Sequence, residues 1–481
     1  MRTAYGVETV RAAEGALMAR LPEGTLMQRA AAGLAAVCAS LPGRVYGSRV
    51  VLLVGSGDNG GDALYAGARL ARRGAGVSAV LLAPDRAHRA GLAALLRAGG
   101  RVAEDPYGVL DKADVVVDGI TGIGGKGGLR PAAVPVARAA RDSGATVVAV
   151  DLPSGVEADT GEITGEALRA DVTVTFGTYK PGLLIDPGRE HAGAVRLVDI
   201  GLDAVLPAAP DLEVLQHADV AARLPRPAAE SDKYRRGVAG IVAGSARYPG
   251  AAVLAVAGAL RGGAGAVRYV GPAADAVIAR FPETLVSQGP PRKAGRVQAW
   301  VVGPGLGDSP GVAEVLASDV PVLIDADGLR GLDPATVRAR SAQTLLTPHA
   351  GEAAALLGVQ REQVESARLA SVRELAAKYG ATVLLKGSTT LVAAPEPELP
   401  VRVNPTGTPW LATAGSGDVL SGLAGSLLAA GLDARDAGSV AAYLHGLAGR
   451  FTADGAPTAA FTVAEAVPTA WRSVTEAVPT A

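Results

Sequence analysis

Residues 404–422 read NPTGTPWLATAGSGDVLSG and place a carboxylate at the end of a glycine-rich loop that opens a helix. Residues 414–417 have small side chains or none, so the backbone can approach an anion closely and several N–H groups can point one way. The apolar run 419–430 predicts a buried helix whose positive end faces the same point. Asp418 therefore suits a base that takes a proton from a substrate hydroxyl while the loop amides stabilise a phosphoryl group in transfer. A glycine turn with a helix-capping Asp is the structural alternative.

Length and composition limit the number of domains and the kind of partner. A chain of 481 residues exceeds one ordinary core, so two or three domains are expected. With 46 Lys+Arg against 47 Asp+Glu, the net charge of -1 favours small molecules over nucleic acid or a membrane as partners. Cys38 is the only cysteine, which excludes an intrachain disulfide and a cysteine-based zinc site. The first residues lack a signal-peptide core and no apolar run is long enough to span a membrane, so we expect a cytoplasmic protein.

The N-terminal half opens with helical patterns over residues 7–38 and then shows a strand–turn–helix of nucleotide-binding type. The apolar strand 49–54 runs into GSGDNGGD, a glycine turn that enters an amphipathic helix. This turn departs from the dinucleotide pattern GxGxxG because Asp58, Asn59 and Asp62 bring oxygen atoms into it. The oxygens favour a bound cation, or recognition of ribose and amide groups, over a bare pyrophosphate. A tight turn with Asx hydrogen bonds explains the same residues about equally well.

Further apolar strands follow at the spacing of an α/β fold, at residues 113–120, 145–155, 170–177 and 194–201. Asp118 and Asp151 end two of them, and ligands of an open parallel sheet bind at the carboxyl ends of its strands. Oxygens of Asn59, Asp118 and Ser154 would suit a hard cation, and Asp151 would suit acid–base chemistry. A strand-end cap explains any single acid, but the recurrence at three strand ends favours a site.

Four segments of this half resemble the NAD(P)HX epimerase domain: RAAEGALMARLPEGTLMQRAA, GSGDNGGD, DGITGIGGKG and VDLPSG. The resemblance covers about residues 1–210 and implies a Rossmann-like three-layer domain that interconverts the R and S forms of hydrated NAD(P)H. It implies potassium ligands at Asn59, Asp118 and Ser154, and a catalytic carboxylate at Asp151. The implied substrate contacts are Asp58, Asn59, Gly60, Gly61, Asp62, Ile123, Gly124, Gly125, Lys126, Gly127, Gly128, Leu129 and Asp151. Asp58 departs from the family, which more often has Asn there.

Residues 202–227 are rich in proline and break the α/β rhythm, so we place the domain boundary there and expect domains of residues 1–212 and 213–481. Beyond the boundary, strand patterns run into glycine or polar turns at residues 299–307, 320–329, 343–352 and 381–390. One sheet edge is thereby predicted to collect Gly305, Asp325, His349, Lys386 and Asp418. Lys386 suits a nucleotide phosphate and His349 a ligand contact, whereas Glu352 suits either a helix cap or a position near Mg²⁺.

The C-terminal half resembles the ADP-dependent NAD(P)HX dehydratase of the ribokinase-like superfamily over about residues 230–470. The segments that carry the resemblance are SARYPGAA, ALRGGAGAV, GPGLG, DADGL, TPHAGE, KGSTT and residues 404–422. It implies substrate contacts at Ala251, Gly305, His349 and Asp418, with Asp418 as the base. It also implies nucleotide contacts at Lys386, Gly387, Ser388, Thr389, Thr390 and Gly417. Trp410 is unusual for the family.

Together the two resemblances imply a bifunctional repair enzyme of hydrated NAD(P)H. The substrates would be NADHX, NADPHX and ADP, the last converted to AMP and phosphate, with K⁺ at the epimerase site and Mg²⁺ at the dehydratase site. We also expect a homo-oligomer. The alternative is a ribokinase-like small-molecule kinase whose N-terminal domain binds nucleotides without catalysis. The polar residues retained in the N-terminal half argue against that alternative.

Overall fold

The computed structural model describes residues 1–41, 43–309 and 311–477, and the chain folds as two compact units. One unit is Thr3–Asp211 and the other is Leu212–Ala481 together with Met1–Arg2. The first strand of the chain is β1 (Arg2–Ala4). No helix in the described part of the chain is long and apolar enough to cross a membrane.

The unit Thr3–Asp211 is a parallel sheet flanked by helices. Its strands are β2 (Arg49–Val54), β3 (Gly76–Leu81), β4 (Arg101–Val102), β5 (Val115–Gly119), β6 (Thr146–Val150), β7 (Val172–Phe176) and β8 (Ala194–Val198). Its helices are α1 (Val7–Met18), α2 (Thr25–Ser40), α3 (Asp58–Arg72), α4 (Arg89–Arg97), α5 (Pro106–Leu110), α6 (Val134–Asp142) and α7 (Gly188–Ala192). The order is β4-β3-β2-β5-β6-β7-β8, and every neighbouring pair is parallel.

The strand order reverses between β2 and β5, because β3 and β4 extend the sheet on one side and β6 to β8 extend it on the other. The central strands are buried on both faces, which is why their sequences are continuous apolar runs rather than alternating ones. In a doubly wound sheet, ligands bind beyond the carboxyl ends of the strands at such a reversal. Asn59 follows β2 and Asp118 lies in β5, so the reversal brings these two residues together.

The second unit is also an α/β layer structure. Its strands are β9 (Leu212–Val214), β10 (Val238–Val242), β11 (Ala266–Val270), β12 (Leu285–Ser287), β13 (Ala299–Val302), β14 (Val322–Ile324), β15 (Thr344–Leu346), β16 (Thr382–Leu385), β17 (Thr390–Ala393) and β18 (Val401–Asn404). Its helices are α8 (His217–Arg223), α9 (Pro249–Arg261), α10 (Ala274–Arg280), α11 (Gly311–Leu316), α12 (Pro334–Arg338), α13 (Ala350–Leu357), α14 (Arg361–Ser366), α15 (Arg368–Tyr379), α16 (Ser416–Ala429), α17 (Ala434–Ala453) and α18 (Ala460–Glu476).

These strands lie in the order β9-β18-β17-β16-β15-β14-β13-β10-β11-β12. Neighbouring strands in the run β16-β15-β14-β13-β10-β11-β12 are all parallel. Strands β16, β17 and β18 form an antiparallel meander. The prediction of α/β folds in both halves is confirmed. The proline-rich segment 202–227 contains more structure than its composition indicates, because Leu212 and Val220 are buried in β9 and α8.

Helix α16 is the buried helix predicted from the apolar run that follows Asp418, and its residues Val419 to Ala429 are all buried. It packs closely against α9 through glycine. A methyl group on Gly422 would lie 1.9 Å from the carbonyl oxygen of Ala255, and one on Gly258 would lie 2.1 Å from that of Val419. Only glycine permits this approach of two backbones, which holds the amino-terminal end of α16 in place.

Candidate active sites

The first site lies at the strand reversal of the unit Thr3–Asp211, where the three predicted potassium ligands come together. The Ser154 hydroxyl donates to Asp118 Oδ1 at 2.6 Å, and the Ser154 amide donates to Oδ2 at 2.8 Å. The side-chain amide of Asn59 donates to the carbonyl oxygens of Val150 and Thr121 at 2.5 and 3.3 Å. Since its NH₂ group is occupied, the side-chain carbonyl oxygen of Asn59 is the atom that a cation could bind.

Asp118 is a buried carboxyl group with 0% exposure. Burial raises the pKa of Asp118 to about 6, although the hydrogen bonds from Ser154 and the Ile120 amide oppose the shift. Among the described residues, no Lys or Arg forms an ion pair with it, so a bound cation would supply the missing charge. Carboxylate, hydroxyl and amide oxygens are also the ligands that a hard cation prefers.

Asp151, the predicted acid–base residue, is held in a strained position beside the same strands. Its φ of 65° lies in the left-handed region, which costs a non-glycine residue on the order of 1–3 kcal/mol and is typical of functional sites. Its Oδ1 accepts hydrogen bonds from the Thr175 hydroxyl at 2.9 Å, the Phe176 amide at 3.2 Å and the Lys180 ammonium at 2.5 Å. Every hydrogen bond that Asp151 accepts within the described structure goes to Oδ1, so Oδ2 is left for a ligand.

The residues of the two predicted substrate loops differ in their exposure. In the turn after β2, Asp58 is exposed, whereas Gly60, Gly61 and Asp62 are buried in the first turns of α3. In the second loop, Gly124 approaches α1, because a methyl group there would lie 2.4 Å from the Arg11 guanidinium. Exposure also varies along this second loop. Gly124, Lys126 and Gly127 are exposed, Ile123, Gly125 and Gly128 are half-buried, and Leu129 packs into the apolar core.

The second site lies at the carboxyl edge of the other sheet, where α16 begins. Gly415 caps α16 with a φ of 87°, a conformation that favours glycine, and Asp418 follows in the first turn. Burial raises the pKa of Asp418 to about 7, and the negative charge of Asp325 adds to the shift while Lys386 opposes it. A carboxyl group that titrates near neutrality is suited to exchange a proton with a substrate.

Asp325 and Lys386 form the polar centre of this site. The Lys386 ammonium lies 2.7 Å from Asp325 Oδ1 and 3.8 Å from Glu352, and the Ser421 hydroxyl donates to Asp325 Oδ2 at 2.7 Å. Burial by itself lowers the pKa of Lys386, but the negative charges of Asp325 and Glu352 outweigh the effect of burial, so the pKa of Lys386 is raised. Asp325 thus links the end of β14 to α16 and fixes Lys386 between them. A methyl group on Gly417 would lie 3.4 Å from the Lys386 ammonium, so two predicted nucleotide contacts are neighbours.

His349 and Glu352 cap α13 reciprocally. His349 Nδ1 accepts from the amides of Gly351 and Glu352 at 3.0 and 3.1 Å, and Glu352 accepts from the His349 amide at 2.8 Å. The cap predicted as one role of Glu352 is confirmed, and the same carboxylate also lies near Lys386. Because Nδ1 is an acceptor, the proton of the neutral imidazole lies on Nε2. The His349 side chain is 58% exposed to solvent, so a ligand could reach it.

The other predicted contacts lie along the same edge. Gly305 has a φ of 60°, and a methyl group on it would lie 2.6 Å from Ala251 Cβ, so these two residues are adjacent. In the loop after β16, Gly387 and Ser388 are exposed, Thr389 is buried and Thr390 begins β17.

Comparison with known proteins gives two family matches. Residues 239–468 match the model described as NAD(P)H-hydrate dehydratase, and residues 23–182 match that of the YjeF-related protein N-terminus. The bifunctional NAD(P)H-hydrate repair enzyme of Mycobacterium leprae is 50% identical over 465 residues, which cover 94% of both chains. This chain belongs to the bifunctional NAD(P)H-hydrate repair enzyme family. The repair enzyme of Moorella thermoacetica is a more distant relative, 35% identical over 85% of this chain and 84% of its own.

A solved structure supports the fold of the second unit in this repair-enzyme chain. The ADP/ATP-dependent NAD(P)H-hydrate dehydratase of Bacillus subtilis, co-crystallised with ATP and Mg²⁺, is 30% identical with a TM-score of 0.50. The match covers 54% of this chain and 97% of that one. The predicted combination of a Rossmann-like domain and a ribokinase-like domain is confirmed.

Sequence reasoning missed the residues of this repair-enzyme chain that hold others in place. Lys180 is 1% exposed and fixes Asp151, and its signal was a lysine just beyond the predicted strand that ends at Gly177. Arg368 lies beneath the loop after β16, where its guanidinium donates to the carbonyl oxygens of Lys386 and Thr389 at 3.2 and 3.0 Å. No local pattern marks Arg368, because it lies on α15, 18 residues before the nearer of these two partners.

Proposed function

We propose that this chain repairs hydrated NAD(P)H in two steps. Residues 1–212 would interconvert the R and S forms, and residues 213–481 would dehydrate the S form with ADP, giving AMP and phosphate. The observation that carries this proposal is Asp418, a carboxyl group that titrates at about 7 at the start of a buried helix and near the paired Lys386 and Asp325. NADHX and NADPHX are both candidate substrates, and a homo-oligomeric state stays a prediction.

The dehydration needs Asp418 because hydroxide is a poor leaving group at neutral pH. Asp418 accepts the proton of the substrate's 6-hydroxyl group while the hydroxyl oxygen attacks the terminal phosphorus of ADP. The bond between that phosphorus and AMP breaks. The backbone amides at the start of α16 stabilise the charge on the phosphoryl oxygens, and Lys386 holds the nucleotide phosphates. Phosphate then leaves the ring carbon while a ring proton is lost, which restores NAD(P)H.

Magnesium fits the second site as a partner of the nucleotide. Asp325, Glu352 and Asp418 place negative charge around Lys386. Among the described residues, however, no three His, Cys, Asp or Glu side chains are placed to hold a metal ion together. Mg²⁺ is commonly held by one or two carboxylates and substrate phosphates, so we propose that it binds with ADP and faces Glu352. When bound, it would neutralise phosphate charge.

Potassium fits the first site because the buried Asp118 lacks a cationic side-chain partner among the described residues. Asn59, Asp118 and Ser154 would hold the ion, and it would supply positive charge next to the bound substrate. Replacing potassium by tetramethylammonium, which is too large for a site of this kind, is expected to slow epimerisation. Equal epimerisation rates in both salts would contradict a potassium site.

The intact chain tests the proposed function directly with a mixture of R and S hydrated NADH, ADP and magnesium. The near-ultraviolet absorbance of the dihydronicotinamide ring should return completely, because the epimerase supplies the dehydratase with the R form. Omission of ADP should leave the absorbance unchanged. No recovery by the intact chain with ADP would contradict dehydration and favour a small-molecule kinase.

The pH profile of dehydration should follow the ionisation of Asp418. Only its carboxylate form can accept the hydroxyl proton, and burial raises the pKa of Asp418 to about 7. We therefore expect kcat/KM for the pure S form to be low in acid, to rise through about pH 7 and to level off above it. A profile that stays level across pH 7 would show that another group accepts the proton.

A further inference from the structure

One more carboxyl group of the first site, that of Asp62, has no chemical role in the proposed function. Asp62 is the fifth residue of α3, one turn after Asp58, and it is 6% exposed. Its Oδ1 is buried and has no hydrogen-bond partner among the described residues. In the ionised form that oxygen would carry charge with neither hydration nor a hydrogen-bond partner, which is costly, whereas a neutral carboxyl group avoids most of the cost.

The charged groups around Asp62 also favour its neutral form. Asp151 faces it from the end of β6, Asp58 from the same helix and Glu14 from α1, and all three are acidic. Burial first, and then these three charges, raise the pKa of Asp62 well above its ordinary range. The buried cation of this site, Lys180, is already committed, since its ammonium donates to Asp151, Thr175 and Phe176.

The surroundings of Asp151 and Asp62 therefore differ although the two residues belong to one site. Lys180 and two further donors stabilise the carboxylate form of Asp151 and leave its Oδ2 free, while burial and negative neighbours favour the neutral form of Asp62, whose Oδ1 is unpaired. Two carboxyl groups whose surroundings separate their protonation states are the usual arrangement of a base and an acid in one active site.

We propose that Asp62 is the proton donor of the epimerisation and that Asp151 is the base. This inference rests on the proposed function of this unit. Asp151 takes the proton of the 6-hydroxyl group, the carbon–oxygen bond becomes a carbonyl, and the bond from C6 to the ring nitrogen breaks as Asp62 protonates that nitrogen. Rotation about the C5–C6 bond presents the other face of the aldehyde. The nitrogen then attacks C6 and returns its proton to Asp62, while Asp151 returns the other proton to oxygen. No further reactant is consumed.

Substitution Asp62→Asn tests this role, because it keeps the size of the side chain and removes the acid. We expect R-to-S interconversion to fall by roughly 100-fold or more, while ADP-dependent dehydration of the pure S form, which the other unit carries out, is unchanged and an unchanged Tm shows that the variant is folded. The wild-type epimerase should also lose activity at high pH, where Asp62 ionises, and the residual rate of Asp62→Asn should lack that decline. The matched control is Asp85→Asn, which removes an exposed carboxylate of the same unit.

Two results would overturn the proposal while the proposed function stands: an Asp62→Asn epimerase within about threefold of the wild type, or no decline of the wild-type rate at high pH. If the wild type itself does not epimerise, the proposed function fails first. Infrared spectra of the intact chain, labelled with ¹³C at its Asp carboxyl groups, give a test that does not depend on activity. Because burial and acidic neighbours raise the pKa of Asp62 well above its ordinary range, we expect a neutral Asp band that persists above neutral pH and that Asp62→Asn removes. Absence of that band would overturn the proposal.

Discussion

Asp418→Asn is expected to reduce ADP-dependent dehydration of the S form by roughly 10³-fold, because it removes the base while keeping the size and polarity of the side chain. Epimerisation should continue at the wild-type rate, since Asp418 belongs to the other unit. The measurement is the recovery of dihydronicotinamide absorbance from pure S substrate with ADP and magnesium. The control is Asp319→Asn, an exposed carboxylate of the same unit. Dehydration by Asp418→Asn at more than about a tenth of the wild-type rate would contradict a role as base.

The same variant should make the protein more stable, which separates loss of chemistry from loss of fold. The pKa of Asp418 is about 7 in the folded protein against an ordinary 3.8. Between these pH values the unfolded chain loses the proton more readily than the folded protein does, so the free energy of unfolding falls as pH rises to about 7. Removing the charge should therefore raise Tm by an amount that grows over this range and is constant above it. At about 1.4 kcal/mol per pKa unit, the gain has an upper limit of about 4 kcal/mol. A lower Tm for the variant at pH 8 would contradict the assigned pKa.

Asp151→Asn is expected to abolish conversion of the R form, so that recovery from a mixed substrate stops once the S form is consumed. The rate should fall by roughly 100-fold or more because the base of the epimerisation is gone. The variant should also lose stability, since Lys180 is 1% exposed and would keep a buried charge without its partner, a change that typically costs about 3–5 kcal/mol.

A second variant separates these two effects. Asp151→Asn combined with Lys180→Met removes both charges, so we expect Tm to recover much of the loss while the R form of the mixed substrate still remains unconverted. Dehydration of the pure S form serves as the internal control in both variants. Conversion of the R form at the wild-type rate by either variant would contradict the assignment of Asp151. A Tm of the single variant equal to that of the wild type would contradict the buried ion pair.

The order of strands and turns was predictable from local patterns. Continuous apolar runs such as Arg49–Val54 specify central parallel strands, and the glycines after them specify tight turns into helices. Because all parallel strands end at one edge, the sequence predicts that the acids at these strand ends, Asp118 and Asp151, converge. For the same reason the sequence predicts Asp325, Lys386 and Asp418 at one edge of the second sheet.

The amino-acid sequence by itself thus determined the α/β layers, the buried helix after Asp418 and the residues that meet at the strand ends. Only the tertiary structure decided which atoms pair and which carboxyl groups carry a proton. Lys180 donates to Asp151 across 29 residues, and Ser421 donates to Asp325 across 96. These partners follow no local period. The protonation of Asp62 and Asp418 depends on burial and on neighbouring charges from distant segments, and both exist only once the chain has folded.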